Sequence, residues 1–318
     1  MNQSGSIEPL AVLLALPGLA LLLRELAWSS LQLGLAAARR LPPWIGASRG
    51  WAYTHPLRAW AGGRFPRAYR FAAARLTPRA FTGLPLTLLA AAALYLALLF
   101  GELVEEIGEE ETIGLDAALG AWLDRYRSEP AVTALLWVTN LGSDPSLLAA
   151  IVVATGFLWA YRRGCLVLPL WATFLGAEAT TWIGKIAMGR ARPDFVTLAT
   201  AISPSFPSGH TTGATAVYGF IAYALARDLR AGRARFEIAY WTVLLILLVG
   251  FSRAFLSVHY PSDVAGGLLV GGFWLLVGFT LAEWRRSPAG SDSAPPDGGS
   301  DNPPEAGSPL PDRVSRAP

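Results

Sequence analysis

Between residues 81 and 284, long apolar runs alternate with short polar stretches, and each run ends in arginine, acid or a turn former. A helix needs about 20 apolar residues to span the hydrocarbon core, within a range of about 17–25. The runs 81–103, 145–161, 166–188, 209–226, 238–255 and 260–282 meet that requirement, with 145–161 near its lower limit. The stretch 131–141 is apolar enough to dip into the interface without crossing. The pattern predicts an all-α integral membrane protein built on six spans.

Outside that region the pattern weakens. Residues 10–23 are apolar but short, carry Pro17 and run straight into Arg24-Glu25, while 26–38 continue helix-friendly to Arg39-Arg40. A seventh, tilted span and a half-inserted interfacial helix both fit this pattern. Glu8, and no basic residue, precedes the first apolar run, so no secretory signal is expected. From residue 58 to 79 arginines alternate with Phe, Tyr, Ala and Leu, as in an amphipathic segment on an anionic membrane surface. Pro, Gly, Ser and Asp dominate after Ser287, and disorder is expected there. The expected domains are therefore a membrane-associated helical region (1–80), a transmembrane catalytic domain (81–284) and a disordered cytoplasmic tail (285–318).

Composition sharpens the membrane reading. The 318 residues are 53% hydrophobic and 15% charged, against about a quarter charged in soluble domains. A net charge of +3 could suggest nucleic acid, but the arginines sit at the ends of apolar runs and form no basic stripe. No nucleic-acid partner is expected. Basic clusters at Arg70, Arg75 and Arg79, at Arg162 and Arg163, at Arg227 to Arg235, and at Arg285 and Arg286 fall on one side of a six-span bundle. The arginine bias makes that side cytoplasmic. The acidic stretch 102–111 falls on the other. The single Cys165 excludes an intrachain disulfide.

Three short motifs carry the chemistry. Lys185, the only lysine, precedes Arg192-Pro193 by seven residues. Pro207-Ser208-Gly209-His210 follows, and then Ser252-Arg253, five residues, His259, three residues and Asp263. All three lie in connections on the non-cytoplasmic side. A phosphate ester repels nucleophiles, so its cleavage needs fixed cations, backbone donors, a nucleophile and a proton for the leaving group. Arg192 and Arg253 offer planar forks and Lys185 a point charge. Ser208 and Gly209 open a helix whose N-terminal amides suit an anion. Pro261 suits a first helical turn, which puts Asp263 where it can hold one imidazole nitrogen of His259 and leave the other free. His210 is the candidate acid. No histidine and carboxylate cluster suited to a metal is evident, and no cofactor is expected.

Each motif alone has an ordinary reading: Lys185 or Arg190 snorkelling from a helix end, Pro-Ser-Gly as a turn, His259 as a cap. His55 reads as a surface residue. Gly266, Gly267, Gly271 and Gly272 suit close helix packing. Glu178, inside a span, is expected to make a structural hydrogen bond, with a role in substrate entry as the alternative.

Together the motifs resemble the type 2 phosphatidic acid phosphatase (PAP2) superfamily, which includes vanadium haloperoxidases, over residues 81–284. The resemblance implies a six-span helical bundle and a membrane-bound, metal-independent lipid-phosphate phosphatase. It implies His259 as nucleophile, His210 as acid and Asp263 as orienting carboxylate, with Lys185, Arg192, Ser208, Gly209 and Arg253 binding phosphate. Phosphatidate, phosphatidylglycerophosphate and undecaprenyl pyrophosphate are the substrate classes expected, in a bacterial-type inner membrane with the site outside. A phosphotransferase on the same site, and less so a haloperoxidase, are the alternatives.

Overall fold

The computed structural model describes residues 7–40, 55–76, 83–193 and 203–286, and every regular element among them is helical. The helices are α1 (Ile7–Arg40), α2 (His55–Arg64), α3 (Pro66–Arg75), α4 (Leu84–Glu106), α5 (Glu110–Asp124), α6 (Glu129–Asn140), α7 (Asp144–Ala160), α8 (Val167–Met188), α9 (Gly209–Ala226), α10 (Gly232–Phe255) and α11 (Pro261–Arg286). The expected tail beyond Ser287 lies outside the described residues.

Local sequence explains several boundaries. Proline opens α3, α4, α6, α7 and α11 in the first turn, where its missing N–H costs nothing and its fixed φ suits the helix. α8 stops at Gly189, whose φ of 56° is the left-handed conformation that favours glycine, and its amide closes on Lys185. The region 58–79, read as one amphipathic segment, contains two helices broken at Phe65, where Pro66 begins α3. The acidic stretch 102–111 is mostly helical: it completes α4 and begins α5.

Four helical stretches, Leu84–Glu106, Gly164–Met188, Gly232–Phe255 and Pro261–Arg286, are each long and apolar enough to cross a membrane. α6 and α7, bent by 45°, form a fifth candidate. α9 is not among them, for a physical reason. It lies between α7, α8, α10 and α11 and buries Thr211, Thr212 and Thr215 against them. A helix surrounded by protein has no need of an apolar surface. The lipid-facing helices show the reverse, with Leu94, Leu98, Leu175, Ile186 and Leu247 exposed.

α9 and α11 approach closely because α11 turns glycines towards α9. A Cβ on Gly267 would stand 2.8 Å from the Ser208 carbonyl oxygen, and one on Gly271 would stand 2.7 Å from that of Thr212. This is the small-residue packing expected for these glycines. The main apolar core, with Leu147, Ile151, Leu170, Val217 and Phe220, lies between α7, α8 and α9. At the arginine-rich end Arg163 pairs with Asp228 at 2.7 Å and Arg227 with Glu283 at 3.3 Å. These pairs gather the basic ends of α8, α9 and α11 on one side.

α1 is one continuous helix that contains Pro17. It docks on α10: the Tyr240 hydroxyl donates to the Ala20 carbonyl at 2.6 Å, Arg233 pairs with Glu25 at 2.5 Å, and Trp28 meets Phe236 at 5.1 Å between ring centroids.

Gly271→Leu should destabilise the bundle by about 1–3 kcal/mol or more through overpacking. Thermal unfolding in detergent checks this, and an unchanged midpoint would contradict the tight α9–α11 contact.

Candidate active site

The C-terminal end of α8, the N-terminus of α9, the C-terminal end of α10 and the N-terminus of α11 converge at the end of the bundle away from the arginine clusters. Each brings a group that sequence alone would select. Lys185 is in the last turn of α8, Arg192 follows it, Gly209 and His210 open α9, Arg253 closes α10, and His259 precedes α11. Those six residues line one cavity of about 550 Å3, together with Leu136, Thr139, Asn140, Asp144, Glu178, Thr181, Trp182 and Ser203. Ser208 and Asp263 lie behind its wall, both with no exposure.

Asp263 is the third residue of α11. One carboxylate oxygen, Oδ2, accepts the Tyr260 amide at 2.8 Å and the Ser205 hydroxyl, and lies 3.4 Å from His259 Nδ1. The other, Oδ1, accepts from Arg190 at 2.7 Å. Ser205 Oγ is 3.3 Å from His259 Nδ1. The opposite ring nitrogen, Nε2, lies 3.3 Å from Arg192 and borders the cavity. Burial holds the His259 pKa down at about 4, with Arg253 and Arg192 acting the same way and Asp263 opposing them. The ring is therefore neutral at neutral pH. With its proton on Nδ1, facing carboxylate and hydroxyl, Nε2 is left unprotonated and accepts from Arg192.

Three cations surround that nitrogen's side of the cavity. Lys185 Nζ donates to the Pro204 carbonyl at 2.6 Å and to Ser203 Oγ at 3.3 Å. Arg192 donates to the Ser203 carbonyl at 2.9 Å and to the Val258 carbonyl, and burial lowers its pKa. Arg253 donates to Thr139 at 2.9 Å, while its buried Nε has no hydrogen-bond partner among the described residues. Within the same residues none of these three pairs with a carboxylate; Asp263 pairs with Arg190 instead. The site is thus electropositive and, with Lys185, Arg253 and His259 all buried, little screened, which strengthens its attraction for a multiply charged anion.

One expectation needs correction. The Ser208 amide does not point at the cavity; it donates to the Asp263 carbonyl at 3.0 Å and ties α9 to α11. Its hydroxyl accepts from Thr211 at 3.1 Å and keeps its own proton to donate. Glu178 also departs from expectation. The residue lines the cavity, and its Oε1 is buried without a hydrogen-bond partner among the described residues, so no structural hydrogen bond within them accounts for it.

Several residues of the site escape a sequence reading. Arg190 resembles an ordinary flanking charge, yet it bridges Asp263 and Asp116, at 2.7 and 2.9 Å, and stacks on Tyr260 at 4.3 Å. Asp116, from α5, also accepts the Ser262 amide at 3.0 Å and the Ser262 hydroxyl. No motif surrounds it. Arg127 donates to the Phe255 carbonyl at 2.7 Å and to Ser257, bracing the turn before His259. Only Arg190 had a signal, through its place two residues before Arg192. Among the described residues no group of His, Cys, Asp and Glu could hold a metal ion.

Comparison with known proteins points to one family. The PAP2 superfamily model matches residues 166–287, which contain all three motifs. Phosphatidylglycerophosphatase B of Bacillus subtilis is 36% identical over 150 residues, covering 45% of this chain and 71% of that protein. Undecaprenyl-diphosphatase BcrC of the same species is 41% identical over 80 residues, 25% of this chain and 34% of the relative. A crystal structure of a transmembrane PAP2 type phosphatidylglycerolphosphate phosphatase from Bacillus subtilis superposes with a TM-score of 0.57 at 29% identity, covering 61% of this chain and 96% of that one. With its helical membrane architecture and this phosphoanion-suited site, the chain belongs to the PAP2 superfamily, as a membrane phosphatase.

Proposed function

We propose that the protein hydrolyses a lipid phosphate through a phosphohistidine on His259. The observation that carries this is the single cavity shared by His259, His210 and three cations, with the imidazole kept neutral by burial. Lys185, Arg192 and Arg253 hold the phosphoryl oxygens, helped by the Gly209 amide at the start of α9, while Ser208 supports that helix end from behind by tying it to α11.

In the first half-reaction His259 Nε2 attacks phosphorus. The bond to the departing oxygen breaks on the far side, and His210, which the negative charge of the bound phosphate brings into its protonated form, gives that oxygen its proton. The Nδ1 proton stays shared with Asp263 and Ser205, which stabilises the cationic ring that forms. In the second, His210 takes a proton from water as the water oxygen attacks phosphorus. The N–P bond breaks, its electron pair returns to Nε2, and inorganic phosphate leaves. Equatorial charge in both transition states faces the three cations, where it is stabilised most.

The arginine-rich ends of α8, α9 and α11 support a cytoplasmic assignment for that end by the positive-inside rule. The site then opens at the outer leaflet of a bacterial-type inner membrane, and the substrate reaches it laterally from the bilayer. The six-span count and the division at residues 80 and 284 belong to the same reading. The names of the relatives support phosphatidylglycerophosphate and polyprenyl pyrophosphate as substrate candidates alongside phosphatidate.

His259→Ala should reduce phosphate release from lipid phosphates to background, while Arg192→Ala weakens turnover by about 100-fold, as loss of one charged transition-state donor does. Near-normal hydrolysis by His259→Ala would refute the assignment. Vanadate, which mimics pentacoordinate phosphorus, should compete with substrate in wild-type protein; activity indifferent to millimolar vanadate would contradict the proposed transition state.

A further inference from the structure

The cavity is longer than a phosphoryl group requires. Its volume of about 550 Å3 falls in the range of about 300–1,000 Å3 that holds a drug-sized ligand. On α8, Glu178, Thr181, Trp182 and Lys185 all line it. Spacings of three, four and seven residues put them on one helix face, and Lys185 and Glu178 are about 10 Å apart along the axis at 1.5 Å per residue.

The two ends differ in chemistry. Lys185, Arg192 and Arg253 make the end around His259 cationic. Glu178 and Thr181, with Asp144, give the rest carboxylates and a neutral hydroxyl. Glu178 Oε1 would be 3.4 Å from a Cβ built on Gly213, one turn of α9 below Gly209 and His210. His210 therefore sits between the ends. Two residues at the inner end have unused capacity. Among the described residues Glu178 Oε1 and Thr181 Oγ1 have no hydrogen-bond partner, and both atoms are buried; Thr181 is only 1% exposed. A buried polar atom left unpaired is costly, and an ionisable residue inside a membrane span reads by default as functional.

We infer that this inner end is a leaving-group subsite that selects lipid phosphates whose departing alcohol carries free hydroxyls, a glycerol or sugar headgroup. The inference rests on the phosphatase reading above. In-line displacement puts the leaving oxygen opposite His259, on the side of His210 and Glu178. A hydroxyl next to that oxygen donates to Glu178 and exchanges a second hydrogen bond with Thr181. A departing phosphate, as in a polyprenyl pyrophosphate, brings anionic oxygens towards Glu178 and Asp144 and is disfavoured. An esterified glycerol, as in phosphatidate, offers no donor.

The test compares kcat/KM for phosphate release by full-length, detergent-purified protein on four lipids. Phosphatidylglycerophosphate and a polyprenyl-phosphoryl phosphoribose carry free hydroxyls, one as glycerol and one as sugar; dioleoyl phosphatidate and farnesyl pyrophosphate do not. Wild type should favour at least one hydroxylated lipid over phosphatidate by about ten-fold or more, and whichever is favoured identifies the headgroup. Glu178→Gln keeps the shape and replaces the acceptor carboxyl by an amide. It should cut the favoured substrate by about ten-fold or more, as loss of a buried hydrogen-bond partner does, and change phosphatidate and the pyrophosphate by no more than about two-fold. Equal wild-type turnover of all four lipids, or a uniform loss in Glu178→Gln, would overturn the subsite. Should that variant not fold, Thr181→Val provides the same comparison and the wild-type ranking decides independently. His259→Ala, run alongside, separates the two readings, because phosphate release that survives it defeats the phosphatase mechanism itself.

Discussion

The Asp263 carboxylate is the contact on which the site depends. It has no solvent exposure, yet it meets groups from three parts of the chain. Arg190 comes from just after α8, Ser205 from the segment before α9, and His259 and Tyr260 from the turn between α10 and α11. Its backbone carbonyl takes the Ser208 amide that opens α9. A buried carboxylate is tolerated only when paired and hydrogen-bonded, so these partners come as a set. Removing Asp263 would leave Arg190 buried against one acid instead of two and would free the imidazole to rotate.

A second constraint comes from the bilayer. Cations cannot face lipid within the hydrocarbon core without large cost, yet phosphoryl chemistry needs several in one place. The bundle resolves this by collecting them where helices end and by enclosing them in protein. α9 carries the consequence most plainly. Its polar face of threonines and His210 would be unsuitable in contact with lipid, and it is surrounded by its neighbours instead. α5 adds Asp116, so the site is braced from outside the core helices.

How much of this was legible in sequence follows from the physics of each signal. Apolar runs mark the main helices because lipid requires them. Lys185, Arg192, His210, Arg253, His259 and Asp263 stand out because such groups are costly at those positions unless used. Arg190 and Asp116 were hidden for the opposite reason: an arginine at a helix end and an aspartate in a short polar-apolar helix are ordinary alone, and only their mutual contact gives them meaning. Glu178 was visible as an anomaly, but whether it had a partner is a three-dimensional fact. The role of Ser208 was partly misread, since a helix-opening amide suggests an anion and nothing local reveals that Asp263 takes it. α1 was legible as apolar helix, while its docking on α10 through Glu25 and Arg233 depends on a contact between residues far apart in sequence.

The central claim is that His259 becomes covalently phosphorylated. Rapid acid-free quench of wild-type protein during turnover of a lipid phosphate, followed by mass spectrometry of its peptides, tests it most directly, because an N–P bond survives only where acid is avoided. The account predicts an acid-labile, alkali-stable phosphoryl group on His259 alone. A phosphoryl group on another residue, or steady release of phosphate with inversion at phosphorus in an isotopically chiral substrate, would contradict it.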